Sequence, residues 1–148
     1  MSKVMTESEV EVSCLVLLRN LGYCVIYGPD ISEGGLAEER KYGEVVLVSR
    51  LRSALRLINK GIPDVAIDEA VKKVLRTESQ DQVVNNQDFH RLVANGIPVQ
   101  FKRSDGTVKD ELVWLFNFAN VGNNEFLAVN QFTVIEERNN ITPAIMRG

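Results

Sequence analysis

Residues 123–148 read NNEFLAVNQFTVIEERNNITPAIMRG. Up to residue 135 they have the β-branched and aromatic content of a strand, bounded upstream by the turn-forming NVGNN at 120–124. Beyond it, residues 136–148 carry no apolar period and read as a divergent tail. The fold therefore turns on what this strand pairs with and what it leads into.

Working back toward the N-terminus, IPVQFKR (97–103) and KDELVWLFNFAN (109–120) have the same strand composition, and SDGT (104–107) supplies the Asp-Gly turn of a hairpin between them. Three consecutive antiparallel strands are expected over 97–135. Trp114, Phe116, Phe118, Phe126 and Phe132 are expected to pack in the core. Their alternation is that of core positions rather than of a platform for stacking bases.

The chain opens with a helix and a strand over 6–28. TESEVEVSCLVLLRNLGY carries a capping box in Thr6 and Glu9, apolar positions at Cys14, Leu15, Leu18 and Leu21 for one buried face, and a stop at Gly22. YCVIYG (23–28) follows as a buried strand ending at Gly28 and Pro29. Residues 30–42, DISEGGLAEERKY, are polar and glycine-bearing and form a surface excursion. A helical middle, 43–95, then holds three segments: one up to Gly61, one after Pro63, and one closed by Asn95 and Gly96. Helix, strand, helical middle and terminal antiparallel strands together define an α/β (α+β) class and a single domain over 1–148.

Composition narrows the function. The 148 residues are 45% hydrophobic and 25% charged, as in one globular domain with a real core. The apolar runs CLVLL and VVLV are far too short to span a membrane, and MSKVMTESEVE is too acidic for a signal peptide, so a soluble cytoplasmic protein is expected. A net charge of −3 gives no long-range pull toward nucleic acid. Cys14 and Cys24 lack metal-site spacing and read as reduced packing residues.

Few residues offer chemistry. His90, the only histidine, lies beside a helical apolar stripe and reads as a helix residue rather than the base of a triad. No glycine-rich phosphate loop is present. Arg52, Arg56 and Lys60 recur at helical spacing, as a stripe for phosphates or an acidic partner or simply as a solvated face. Asp30 with Glu39 and Lys41 spells an Asp…Glu-x-Lys nuclease signature. The intervening ISEGGLAE has neither hairpin nor strand character, however, so the two carboxylates have no adjacent strands from which to share a metal.

Three stretches, TESEVEVSCLVLLRNLGYCVIYGPDI, NNQDFHRLVANGIPV and NNEFLAVNQFTV, in this order and spacing, resemble the N-terminal region of the restriction (R) subunit of type I restriction-modification enzymes. The resemblance covers residues 6 to about 138, and NNEFLAVNQFTV is its most specific piece. It implies a partial restriction-endonuclease-like core of the PD-(D/E)xK type. For the full-length subunit it further implies Mg²⁺-dependent DNA cleavage, an ATP-driven translocating motor, and docking on methyltransferase and specificity subunits.

In that pattern a proline and an aspartate follow the NQFTV strand, and a strand with Glu-x-Lys comes next. Here Pro143 takes the proline position and Ala144 that of the aspartate, with four residues after it. Glu11 matches the acidic residue of the first helix beside the metal site, with Glu7 the next candidate. Apart from the resemblance, either is a helix-start acid favoured by the macrodipole. With most of the site absent, no bound cofactor and no independent catalysis are expected of this chain, and its last strand is expected to leave an open edge for self-association. Two readings follow: the opening part of a nuclease domain, or a non-enzymatic remnant acting as an interaction module.

Overall fold

The computed structural model describes residues 4–76, 80–138 and 141–147. The fold is α/β, and the chain forms two compact units: residues 1–45 with 125–148, and residues 46–124. Among the described residues no helix is long and apolar enough to cross a membrane.

The first unit begins with α1 (Glu7–Asn20), whose capping box forms as expected: the Thr6 amide donates to Glu9 Oε2 at 2.8 Å and the Glu9 amide to Thr6 Oγ1 at 3.3 Å. Gly22, at φ 97°, ends the helix, with the Gly22 amide donating to Arg19 O and the Tyr23 amide to Leu18 O. β1 (Cys24–Tyr27) follows, then the single turn α2 (Gly28–Ile31).

The expected buried face of α1 is not found. None of its residues is fully buried; Leu15 and Leu18 are half-buried, whereas Cys14 and Leu21 are exposed alongside Val12, Val16 and Leu17. Cys24 is exposed as well, so both cysteines are free surface thiols rather than packing residues.

The excursion after β1 is folded rather than merely solvated. Arg40 is buried, donating from Nε to Glu44 O (2.7 Å), from Nη2 to Tyr42 O (3.0 Å) and from Nη1 to Ser32 Oγ (3.2 Å), while its guanidinium sits 4.0 Å from the Phe132 ring centre. All of these partners are uncharged. Ser32 and Ile31 are buried with it. A guanidinium supplies five donors in a fixed plane, so one side chain can tie several backbone carbonyls of a loop that has no ladder of its own.

The terminal strands depart most from expectation. The segment expected as a third antiparallel strand is two strands, β4 (Leu127–Asn130) and β5 (Thr133–Arg138). β4 pairs in parallel with β1, Cys24 opposite Leu127 and Tyr27 opposite Asn130. β5 pairs antiparallel with β6 (Ile141–Arg147), so the stretch expected as an unpatterned tail contains a strand, with Glu136 opposite Ala144. Residues 139, 140 and 148 of that stretch lie outside the described ones. The break comes at Gln131, whose φ of 50° turns the chain out of the extended region.

The second unit contains the three expected helices, α3 (Val48–Ile58), α4 (Asp64–Leu75) and α5 (Gln82–Asn95), followed by the hairpin of β2 (Ile97–Lys102) and β3 (Val108–Val113). The hairpin is antiparallel around the Asp-Gly turn, as expected, with Ile97 opposite Val113 and Lys102 opposite Val108, and Gly106 has φ 87°. Strict alternation sends Ile97, Val99 and Phe101 inward from β2. They meet Ala66, Ile67, Ala70 and Val71 of α4, with Leu55 and Val113 completing the core. Alanines at two of these positions let the helix lie close to the sheet, and each buried Ile, Leu or Val contributes about 1.5–3 kcal/mol.

Asn59 closes this unit: its Nδ2 donates to Leu55 O and Trp114 O, and the Trp114 amide donates to its Oδ1 at 2.7 Å. The core is aliphatic apart from Phe101. Of the aromatics expected in the core, Trp114 and Phe118 are exposed and Phe116 only half-buried, because β3 ends at Val113 and the residues after it no longer alternate across a sheet; Phe126 and Phe132 belong to the first unit, where both are half-buried.

Candidate functional site

Because β1 and β4 are parallel, their C-terminal ends, Tyr27 and Asn130, lie side by side. The ends of parallel strands are where α/β sheets commonly place binding groups, since the chain leaves the sheet there and exposes its loops. Glu11 projects from α1 to this edge. Its Oε1 accepts from Asn130 Nδ2 at 2.9 Å, and both carboxylate oxygens accept from Gln131 Nε2 at 3.1 Å.

Two backbone features fix the donors. Gln131 is the only non-glycine residue with positive φ among those described, at a cost of roughly 1–2 kcal/mol for a side chain in the left-handed region. Gly28 presses against the same turn: a Cβ there would lie 2.3 Å from Asn130 O and 2.7 Å from Gln131 O. Asn130 Oδ1 is buried with no hydrogen-bond partner among the described residues. Such an atom commonly costs about 1–3 kcal/mol, which is tolerated where the rest of the side chain has a task.

Glu11 brings one carboxylate to this edge, and its hydrogen-bond partners there are the Asn130 and Gln131 side-chain amides. Among the described residues no group of three His, Cys, Asp or Glu is gathered to hold a metal. Glu7 lies exposed in the first turn of α1.

The Asp30, Glu39 and Lys41 signature has no shared strand. Asp30 lies in α2, and residues 32–44 contain no strand. Lys41 Nζ is 2.6 Å from Glu38 Oε1 and 3.8 Å from Glu33 Oε1. The bond to Lys41 holds the Glu38 carboxyl below its usual range, helped by the Gly34 amide, and the same bond raises Lys41.

The basic stripe is largely occupied. Arg52 pairs with Asp68 and Arg56 with Asp64, each at 2.9 Å, joining α3 to α4. Lys60 is exposed beyond them. His90 is exposed on α5. Trp114, Phe116 and Phe118 line a cavity of about 320 Å³ with Ile58, Asn117 and Ala119.

Sequence reasoning singled out Glu11 as a candidate but not its hydrogen-bond partners Asn130 and Gln131, nor Gly28 packed against them. The available signal was an Asn-Gln pair interrupting an otherwise apolar strand, where two amides have no core to enter.

Over residues 4–143 the chain matches the family described as type I restriction enzyme R protein N terminus. It is 37% identical over 133 residues to the type I restriction enzyme HindI endonuclease subunit of Haemophilus influenzae, covering 88% of this chain and 12% of that one. It is 29% identical over 133 residues to the putative type I restriction enzyme MjaIXP endonuclease subunit of Methanocaldococcus jannaschii, covering 90% of this chain and 13% of that one. The chain thus spans about one eighth of the length of these curated relatives. The chain belongs to the type I restriction enzyme R protein N-terminal family.

Proposed function

We propose that residues 1–148 form the opening part of one nuclease domain of a restriction R subunit, with 46–124 inserted between the two strands of its parallel pair. In this reading the full-length subunit cleaves unmodified DNA with Mg²⁺, translocates it with ATP, and assembles with methyltransferase and specificity subunits in the cytoplasm. Glu11 is the carboxylate that this region contributes to the site. The observation carrying the reading is the family match over 4–143, to which the position of Glu11 at the strand ends adds a place for the chemistry.

Residues 1–148 alone are proposed to be inactive and to bind no cofactor. Ala144 stands at the position where the family pattern has an aspartate, and one carboxylate surrounded by amide donors does not organise Mg²⁺, phosphate and water. Incubation of the purified chain with supercoiled DNA and Mg²⁺ should leave the DNA intact. Reproducible nicking that disappears in Glu11→Ala would overturn this.

Ala144 also favours a second reading, a non-enzymatic module that binds partner subunits without cutting. Reading the coding DNA across codon 136 and several hundred bases onward separates the two. An Arg-Pro-Asp strand followed by Glu-x-Lys, in frame or after one shift, supports the nuclease reading; its absence leaves the module, to be pursued by pull-down with the methyltransferase core.

A further inference from the structure

We propose that Asn130 and Gln131 are positioning residues that hold the Glu11 carboxylate in a single orientation at the ends of β1 and β4. The proposal rests on the reading of Glu11 as the site carboxylate.

A glutamate on a solvated helix face samples several staggered rotamers, each pointing its carboxylate elsewhere. Here three hydrogen bonds from two neighbouring amides reach across from a chain segment about 120 residues away and select one of them. Hydrogen bonds to an ionised acceptor are the stronger kind, and two donors with different approach directions fix the plane as well as the position.

The donors themselves stand on fixed backbone. Gly28 leaves no room on one side of the Asn130 and Gln131 carbonyls. On the other, Gln131 adopts φ 50°, a conformation that glycine reaches freely and asparagine with less strain. A glutamine stands there instead, and its longer side chain is the one that reaches both oxygens of Glu11. Strain retained where a glycine would remove it, together with the orphaned Asn130 Oδ1, marks a turn shaped for its side chains rather than for its own stability. Carboxylates that act on a reacting group need this kind of support, since small misplacements are costly to chemistry.

The test is the rotamer distribution of Glu11, measured by three-bond side-chain couplings in isotopically labelled 148-residue chain. The expected result is one dominant rotamer in the wild type and couplings collapsed to rotamer-averaged values in Asn130→Ala and Gln131→Ala. Gln131→Asn, which suits the left-handed backbone but has a shorter side chain, should show the same loss if Gln131→Ala does not fold.

Thr6→Ala weakens the same helix at its cap without touching these amides, and should leave Glu11 in its single rotamer. The Gln131 side-chain amide resonances should also move in Glu11→Gln and stay in place in Glu7→Gln. Averaged couplings in the wild type, or a single rotamer retained in every amide variant, would overturn the proposal. Neither result depends on whether Glu11 takes part in cleavage, which is decided separately by DNA cutting in a full-length subunit carrying Glu11→Gln.

Discussion

Gly28 and Asn130 meet so closely that a Cβ on residue 28 would lie 2.3 Å from the Asn130 carbonyl oxygen. The obstructing atom is backbone, so it cannot swing aside. Gly28→Ala is therefore expected to force β1 and β4 apart at their shared end, destabilising the chain by about 2 kcal/mol or more and lowering its melting temperature by at least about 4 °C. A variant melting with the wild type would show that the strand ends are not held in this contact.

Arg40 holds the segment after α2 through four uncharged groups. Lysine keeps the charge but loses the planar fork, so Arg40→Lys takes the guanidinium donor from the Glu44 carbonyl and leaves the Tyr42 carbonyl with the Ile135 amide alone. The expected cost is roughly 2–4 kcal/mol in denaturant unfolding, with faster proteolysis within 32–44. An unchanged unfolding midpoint would mean that the loop is ordered by something else.

The turn of the β2–β3 hairpin carries a pH dependence whose sign is fixed by Asp105. Its carboxylate accepts from the Thr107 hydroxyl at 2.6 Å and the Thr107 amide at 2.9 Å, which holds its pKa below the usual aspartate range. A depressed folded-state value means that the stabilisation is full above the ordinary range and is lost as pH falls through the lowered value. Carboxyl ¹³C shifts should show Asp105 titrating low in the wild type and closer to an ordinary aspartate in Thr107→Val, where the hydroxyl, the largest cause, is gone.

Each strand of the first unit is paired on one side only among the described residues, β1 with β4 and β5 with β6. Open edges, together with the exposed Val12, Val16 and Leu17 of α1, favour pairing between copies. Light scattering should report a mass that rises above the monomer as concentration increases. A constant monomer mass at high concentration would count against this.

What the sequence made legible was local. The Thr6–Glu9 capping box, the Gly22 and Gly96 stops and the 104–107 turn each lie within a few residues of the structure they specify, and each appears where it was expected. The pairing of β1 with β4 was not legible, because four-residue strands a hundred positions apart carry no pattern that names their partner. Nor was the turn at Gln131, since a glutamine rarely takes positive φ and nothing nearby in sequence reveals the carboxylate it reaches. Glu11 itself could be singled out, through the family resemblance; its partners required the fold. Arg40 hid inside a segment whose polar composition suggested only solvent.

The interruption of the parallel pair by residues 46–124 bears on the order of assembly. Closing β1 onto β4 across roughly 100 unstructured residues would cost about 4 kcal/mol of chain entropy before any strand bond formed. The intervening segment is continuous and rich in neighbouring contacts, with its helices and hairpin consecutive in the chain, so it is the part able to fold first. Slower pairing of β1 with β4 is therefore expected of variants that weaken the core of this segment, such as Ile67→Ala or Val99→Ala.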